Sequence, residues 1–470
     1  MFAARHTTIT IALGAIMLAM PAIGRAQTTG AAQDASATPA PESSVTQQAV
    51  AGDAPTRIRQ LEERIAALER AEAKSKTTPA VTATRDGLAI RSADNAFSFR
   101  LRGYVQSDAR FFGAAGPVAP GSSTFLLRRV RPIFEATAYK YFGVRLVPDF
   151  GGGQAVLYDA YAEARPNAAL NVRVGKFKPP IGLERLQSAT DVRFVERGLP
   201  TNLVPNRDVC VQLHGDLAKA RIQYQVGAFD GAPDAANIDG DASTGKDVAG
   251  RLFLRPFATN ASGPDLGIGI AGSAGTEQGT LAAPALGAYR TTGQLALFRY
   301  RTDGTAPNTV LADGRRTRVS PQGYLYVGPV GVLAEYVRST HEVRRATSAA
   351  ALTNQAWQVS GSLVLTGERE SYTSVSPDRP LDGSKSGGLG ALELVARYGV
   401  LTTDAKAFPT FADAATQARR ARAAGVGLNW RLTRGLVFAA DYERTQLDGP
   451  DAATVRHTEH AVLTRLQLGF

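Results

Sequence analysis

The chain has 470 residues, of which 44% are hydrophobic and 20% are charged, so it is too apolar for a disordered chain and long enough for one large barrel or several smaller domains. Apolar runs of about 18 residues, which a helical membrane protein would show repeatedly, are missing beyond the N-terminus. The net charge of +11 comes from 44 Arg and only 9 Lys, which favours bidentate recognition of anionic oxygens, unless it only reflects genome composition.

Residues 1–26 have the pattern of a secretory signal peptide. A basic start with Arg5 precedes an apolar stretch, and Gly24 and Ala26 are small residues placed for cleavage before Gln27. The apolar stretch is short for a membrane span, although a retained N-terminal anchor is the alternative. We therefore predict that the protein is exported from the cytoplasm.

Two polar segments are predicted to be linkers. Residues 27–56 are rich in Ala, Thr, Gln, Ser and Pro and show no periodicity, and residues 75–95 are also polar. Such composition is typical of flexible connections.

Between the linkers, residues 57–74 are predicted to form a short coiled-coil helix. Apolar residues repeat at spacings of 3, 4 and 3 with charges between them: Ile58, Leu61, Ile65 and Leu68. This is a short coiled-coil seam, and so short a helix needs partners held nearby. A lone amphipathic surface helix fits the pattern about as well.

Residues 96–470 are predicted to be all β, because apolar and polar residues alternate in segment after segment. Near the C-terminus, Leu466 and Leu468 share one parity, and Arg465 falls on the other. A soluble sandwich alternates too, but here aromatic residues of the apolar face lie near strand ends, as in the girdles of outer-membrane barrels. These aromatics are Tyr224, Tyr324, Tyr326, Tyr398, Trp430 and Tyr442.

The alternation marks seventeen candidate strands, whereas a bacterial single-chain barrel needs an even number. Strands counted forward from residue 97 and backward from the C-terminus, with short turns on the periplasmic side, disagree between residues 278 and 314. We therefore predict sixteen strands. Either the candidate 291–301 is part of an extracellular loop, or one of its neighbours is not a strand. The candidates are 97–112, 124–139, 143–150, 154–165, 170–178, 207–216, 219–230, 247–257, 266–277, 291–301, 315–328, 330–342, 354–368, 388–400, 419–432, 435–448 and 459–470.

A barrel of sixteen strands encloses an aqueous channel, so the polar residues that alternate with the apolar ones along each strand are predicted to line a pore. Arginine rings in a pore select anions. The alternative is that these arginines pair with lumen carboxylates such as Glu135 and Glu393 and only fill space. The polar-parity arginines are Arg100, Arg102, Arg129, Arg131, Arg173, Arg221, Arg251, Arg255, Arg397, Arg431 and Arg465.

Residues 179–206 form a long stretch without strand character, which is unusual for a barrel loop. The stretch carries several charges, including Arg185, Arg197 and Glu196. We predict that it folds into the lumen and narrows it; a surface loop is the alternative.

Several ordered motifs carry a family resemblance over residues 97–470. They are the run Lys176 to Glu184 (KFKPPIGLE), Phe194 to Arg197, Arg128 to Arg131, Asp159 to Tyr161, Gly328 to Gly331, Leu365 to Glu368 and Gly427 to Trp430. Together with the preceding helix, they make the chain resemble the phosphate-selective porin O/P family of outer-membrane porins.

The resemblance implies a sixteen-stranded barrel, usually a homotrimer, in which an arginine ladder leads to a narrow central anion site. Arg128 and Arg129 would match arginines of the ladder or site. Lys176 or Lys178 would match the constriction lysine, and Asp159 the acidic residue beside it.

The sequence thus predicts an anion-selective outer-membrane porin, for phosphate or polyphosphate-like oxyanions. A general diffusion or sugar-type porin with weak anion preference is the alternative. The predicted partners are further copies of the chain, outer-membrane lipid, lipopolysaccharide and small anionic solutes, with no nucleic acid. No hydrolase or nucleotide-binding motif is present, so we predict no enzyme activity, cofactor or metal.

Overall fold

The computed structural model describes residues 54–84, 86–113, 121–240, 245–260, 263–381, 387–451 and 457–470. The predicted signal peptide and residues 27–53 of the first linker lie outside these described residues, so both stay predictions. The chain divides into two units, Met1–Glu69 and Arg70–Phe470.

A helix begins in the N-terminal unit and ends in the second, as far as Thr77, where the heptad spacing predicted one. Helix α1 spans Ala54–Thr77. Its predicted seam residues are each more than half exposed: Ile58, Leu61, Ile65 and Leu68. The apolar stripe therefore exists, whereas its pairing with other helices remains a prediction. Among the described residues, no helix is both long and apolar enough to cross a membrane.

The second unit consists mainly of strands. In chain order they are β1 Ala80–Thr84, β2 Gly87–Arg91, β3 Ser98–Phe112, β4 Thr124–Ala138, β5 Phe142–Asp149, β6 Val156–Asn167, β7 Leu170–Phe177, β8 Asp208–Leu217, β9 Ile222–Phe229, β10 Asp247–Leu254, β11 Asp265–Gln278, β12 Tyr289–Arg290, β13 Ala296–Phe298, β14 Leu311–Val327, β15 Val330–Arg345, β16 Ser348–Val364, β17 Ala391–Thr402, β18 Arg420–Arg431, β19 Leu436–Asp448 and β20 His457–Gly469.

Sixteen of these strands close into an antiparallel barrel, which confirms the predicted fold. Strands β3–β11 and β14–β20 pair with their neighbours, and β20 returns to pair with β3 between Ala461↔Phe112 and Gly469↔Tyr104. The surplus candidate at 291–301 lies in the connection between β11 and β14, where β12 and β13 pair only with each other. Its assignment to a loop is therefore confirmed.

A hairpin replaces part of the predicted second linker. Strands β1 and β2 pair with each other, and β2 pairs with the start of β3, from Leu88↔Leu101 to Arg91↔Ser98. Strand β1 was not predicted because all five of its residues are exposed, so the sequence shows no alternation between buried and exposed positions there. The hairpin extends β3 beyond the point where β20 ends.

The alternation of apolar and polar residues separates the outer face of the barrel from the lumen. On β18, Val426, Leu428 and Trp430 are 40–54% exposed, while Asn429 and Arg431 are nearly inaccessible. Successive side chains of a strand point to opposite faces, so the exposed apolar set lies on the outer face of the barrel and the polar set faces inward.

The two ends of the barrel differ in their connections. At the end that we call the turn end, β4–β5, β6–β7, β8–β9, β14–β15 and β18–β19 are joined by two to four residues. The opposite end, the loop end, carries long connections, including those before β8 and β14. Short turns face the periplasm in outer-membrane barrels.

Loops fill part of the lumen near the loop end. In the β11–β14 connection, Tyr289 and Phe298 are fully buried and stack with ring centroids 5.4 Å apart. The hydroxyl of Tyr300 lies 2.5 Å from His341 Nε2 on β15, and Asn354 Nδ2 on β16 donates to the Tyr289 hydroxyl at 2.9 Å. The lumen is therefore packed beside β15 and β16.

Candidate functional site

The connection between β7 and β8, residues 178–207, crosses the lumen and is here named the constriction loop. Its first turn of helix, α2 at Leu183–Leu186, is held by Glu335 on β15, which accepts from the Leu183 backbone N–H at 2.6 Å. On the opposite wall, Gln106 Nε2 on β3 donates to Ala189 O at 2.9 Å. The loop is therefore folded inward, as predicted, and a surface loop is excluded.

The constriction loop packs tightly against the wall at Gly198. A Cβ atom there would lie 1.7 Å from Gln358 Oε1 on β16. The Gly198 N–H donates to Glu184 Oε2 at 2.8 Å, and Gln358 Nε2 donates to the same oxygen at 2.9 Å. The loop thus approaches the wall closely enough for direct hydrogen bonding.

Glu196 fastens the loop to the arginines of the wall. It accepts from Arg128 Nε at 2.5 Å and from Arg110 Nη2 at 2.9 Å. Burial alone would raise the pKa of Glu196, but the charges of Arg128 and Arg129 lower it well below its usual value. The carboxylate is therefore charged at neutral pH and neutralises part of the arginine cluster.

A cavity of about 1070 Å³ runs along the lumen beside the constriction loop. It reaches from Arg290 near the loop end to Asp86 and Arg434 at the turn end. Its basic lining residues are Arg100, Arg102, Arg128, Arg129, Arg131, Arg145, Arg173, Lys178, Arg185, Arg197, Arg207, Arg290 and Arg434. Its acidic ones are Asp86, Asp159, Asp191, Glu196 and Asp234. Three further carboxylates, Glu135, Asp149 and Glu163, pair with lining arginines, so thirteen basic side chains stand against eight carboxylates and the cavity keeps a positive excess.

The arginines of β4 are held in fixed orientations. Arg129 Nη1 donates to Gln106 Oε1 at 2.7 Å. Arg131 Nε donates to Asp149 Oδ2 at 2.8 Å, and its guanidinium carbon lies 3.8 Å from the centroid of the Tyr158 ring. Contacts on one edge and one face of a guanidinium preorganise its remaining donors.

Asp159 moderates the positive charge near the middle of the cavity. Arg207 Nε donates to Asp159 Oδ1 at 2.6 Å, and Arg145 Nε lies 4.0 Å from Oδ2. Arg207 also lies over the Tyr158 ring, 4.8 Å from its centroid. Asp159 thus lies between two arginines, while its role beside the constriction lysine stays a prediction.

The two lysines of the KFKPP run have different positions. Lys178 lines the cavity, and its Nζ donates to Leu186 O at 3.1 Å and to Gln187 O at 2.6 Å. Burial, with the nearby charges of Arg207 and Arg197, lowers the pKa of Lys178 well below its usual value. Lys176 is not among the cavity-lining residues; it pairs with Asp239. Lys178 is therefore the lysine that faces the lumen.

Seven of the ten predicted site residues line the cavity, and three do not. Those that line it are Arg100, Arg102, Arg128, Arg129, Arg131, Asp159 and Lys178. Lys176 is turned away, and Arg221 is exposed at the turn end, where its Nη2 donates to Thr259 Oγ1 at 3.3 Å. Arg251 is on the inner face of β10 but outside the cavity lining.

Arg145 and Tyr158 line the cavity but were not predicted as site residues. Arg145 follows the inward parity of β5, so closer attention to alternation could have found it. Tyr158 adjoins a register shift between β5 and β6, where the pairing moves from Val147↔Asp159 to Pro148↔Leu157. No local pattern predicts such a shift.

A closed sixteen-stranded barrel with an inward-folded loop beside a charged passage defines an outer-membrane porin. The model of the family phosphate-selective porin O and P matches residues 99–470, and the chain belongs to that family. The family and the fold point to a channel rather than to an enzyme.

Solved outer-membrane barrels are similar to this one at low sequence identity. The outer-membrane channel DcaP of Acinetobacter baumannii is 11% identical, with a TM-score of 0.52, over 83% of this chain and 100% of that one. The anion-selective porin from Comamonas acidovorans is 11% identical, with a TM-score of 0.49, over 80% of this chain and 100% of that one. No curated relative matches the sequence.

Proposed function

We propose that this porin is a passive channel that favours anions and, among them, oxyanions such as phosphate. The observation that carries the proposal is the excess of basic side chains along the cavity, twelve of which are arginines and one a lysine. Rings of basic side chains select anions in pores. The constriction loop narrows the passage, so a permeating ion passes within reach of these groups.

The arginine forks supply the preference for oxyanions. A guanidinium matches the edge of a phosphate with two parallel N–H groups and is less strongly hydrated than an ammonium. In Arg207, Nε donates to Asp159 and Nη1 donates to Asn206, which leaves Nη2 for a passing ion. Several arginines in succession let an anion move from site to site without one deep well, which conduction requires.

Block of chloride current by phosphate tests this proposal. In planar bilayers, millimolar phosphate should reduce the chloride current of the full-length protein, and Arg129→Ala should weaken the block. A wild-type chloride current indifferent to millimolar phosphate would overturn the phosphate preference and leave general anion selectivity.

The proposed setting is the outer membrane, with its lipid and lipopolysaccharide around the exposed apolar face. Export would use the predicted signal peptide. We further propose that the chain forms a homotrimer, with α1 in the periplasm.

A further inference from the structure

The outer face of the barrel carries a group of basic side chains near the loop end of β18–β20. Arg420 and Arg422 lie on β18, Arg444 lies on β19 and His460 lies on β20. All four have the outward parity of exposed apolar residues such as Val426. These four residues are here named the basic patch.

The strand register brings members of the basic patch together. Arg444 pairs with His460 across β19 and β20, and Arg422 pairs with Gln446, the next outward residue after Arg444. Arg422 and Arg444 are therefore diagonal neighbours on one face, with Cα atoms about 7–8 Å apart. Two arginine side chains in this arrangement can reach the same anionic group.

The charge of the basic patch exceeds what the neighbouring strands neutralise. Asp448 lies opposite Arg420 in the register and pairs with Arg422 at 2.5 Å. The guanidinium groups of Arg420 and Arg444 are exposed and form no ion pair or hydrogen bond among the described residues. Within residues 420–431, 436–448 and 457–469, three outward arginines thus face one outward carboxylate.

The basic patch lies just beyond the apolar band of the outer face. Tyr442 ends the apolar run of β19, and Arg444 is the next outward residue, about 7 Å further along the strand. The Tyr442 hydroxyl lies 2.7 Å from His460 Nδ1, which fixes the histidine ring within the patch. Interfacial aromatic residues lie at the level of lipid headgroups. The arginines therefore lie at the depth of the charged parts of a lipid.

The outer face does not carry such charge around its whole circumference. Near the loop end of β8–β10, the outward row is Val211–Ala228–Val248, which has no charged residue. Arg315 and Arg338 extend the basic side onto the exposed face of β14 and β15. One side of the outer rim is therefore basic, and another side is apolar.

We propose that the basic patch binds the phosphate groups of lipopolysaccharide in the outer leaflet. The apolar residues below the patch contact the acyl chains, while the forks of Arg420 and Arg444 bind phosphate oxygens. Clusters of basic side chains at headgroup level are typical of proteins that recognise anionic lipids. The inference rests on the proposed outer-membrane setting but not on anion conduction, because the patch is on the outside of the barrel.

Native mass spectrometry of the full-length protein, titrated with a short-chain lipopolysaccharide, tests the inference. Arg420→Gln combined with Arg444→Gln removes two unpaired charges and should weaken lipopolysaccharide binding about tenfold or more. Arg221→Gln, an exposed control at the turn end, should leave binding unchanged. Equal binding by the wild type and the double variant, or equal loss in the control, would overturn the proposal. Should the double variant not fold, Arg444→Gln alone should weaken binding severalfold, and unchanged binding there would also overturn it.

The chemistry of the lipid is tested with the wild-type protein. Dephosphorylated lipopolysaccharide should bind as weakly to the wild type as the intact lipid binds to the double variant, and millimolar inorganic phosphate should not displace the intact lipid. Equal binding of the dephosphorylated lipid would assign the contact to acyl chains alone, and displacement by inorganic phosphate would assign the patch to the free ion; either result would overturn the proposal. Phosphate block of chloride current should be the same in the wild type and the double variant, so that failure of lipid binding leaves the proposed function intact.

Discussion

Inward arginines have two roles in this barrel, and their position relative to the cavity distinguishes the roles. Arg465 on β20 and Arg397 on β17 lie outside the cavity lining. Arg465 forms two hydrogen bonds of 2.7 Å with Asp108, and Arg397 donates to Glu443 at 2.6 Å. These buried pairs fill space, as one reading of the sequence proposed. Arg128, Arg185 and Arg207 border the cavity instead, so the pore interpretation applies to the other part of the wall.

The two lysines of the KFKPP run form a matched pair for testing. Lys178→Met should reduce phosphate block of chloride current severalfold, because it removes a charge from the cavity, whereas Lys176→Met should leave the block unchanged. Lys178→Arg should restore much of the effect. Equal loss in the Lys176 and Lys178 variants would contradict the assignment of Lys178 to the lumen.

The charge of Lys178 should also depend on pH. Its pKa is lowered by burial and by Arg207, so the charge is present at low pH and is lost as the pH rises through that lowered value. The difference in phosphate block between wild type and Lys178→Met should therefore shrink as the pH rises. A difference that grows with pH would contradict this account; block measured from pH 6 to pH 10 decides between the two.

Asp159 should weaken anion binding in the wild type. At an effective dielectric of about 20, a unit charge 4 Å away contributes roughly 4 kcal/mol before desolvation is subtracted. Asp159→Asn frees Arg207 and should strengthen phosphate block and slow phosphate exit. Single-channel recording measures both effects, and weaker block in this variant would show that Asp159 instead holds Arg207 in place for the anion.

Alternation identifies which residues point inward, but not which of them meet open channel. Arg251 follows the inward parity as predicted, yet it lies outside the cavity lining. Whether the lumen is open or filled beside a strand depends on loops that come from distant parts of the sequence. Lys178 follows the last residue of β7, and hydrogen bonds to α2 fix its position.

At the level of elements, a connection at the turn end holds the constriction loop from the periplasmic side. The segment between β16 and β17 contributes Glu370, which is fully buried and accepts from Arg193 Nη2 at 2.6 Å. The hydroxyl of Tyr372 donates to Leu183 O at 2.7 Å, and Gln187 Nε2 donates to Tyr372 O at 2.7 Å. The loop is thus fixed by both the wall and this connection.

Loosening this connection should disturb the constriction. Glu370→Gln combined with Tyr372→Phe removes a buried charge partner, a change that typically costs about 3–5 kcal/mol, and one hydrogen bond. The variant should show noisier single-channel currents and a lower anion preference. Thr373→Ala, an exposed position of the same segment, is the control, and indistinguishable recordings from all three proteins would contradict the role of the connection.

The sequence predicted the wall strands well because each strand carries its own alternation. All sixteen wall strands fall on predicted candidates, within a few residues at most ends. The β1–β2 hairpin was not predicted because the residues of β1 are all exposed and show no alternation between buried and exposed positions. The cavity was predicted only as an arginine-lined lumen, since its shape depends on contacts such as Leu183 with Glu335, 152 positions apart.

At the level of the whole molecule, the barrel rather than α1 should determine the trimer. Ile58 and Leu61 begin a seam with Ile at one core position and Leu at the next, and this order favours two strands in parallel coiled coils. Unheated gel samples should therefore show trimers both for the full-length protein and after deletion of residues 27–80. Monomeric migration of the full-length protein would refute the trimer. If the full-length protein migrates as a trimer and the protein lacking residues 27–80 does not, the helix is responsible for assembly.

The reversal potential of the current across a planar bilayer, measured with the full-length protein in a gradient of potassium chloride, tests anion selectivity most directly. We expect a reversal potential with the sign of the chloride equilibrium potential, because basic side chains outnumber carboxylates along the cavity. A reversal potential near zero, or with the sign of the potassium equilibrium potential, would contradict it.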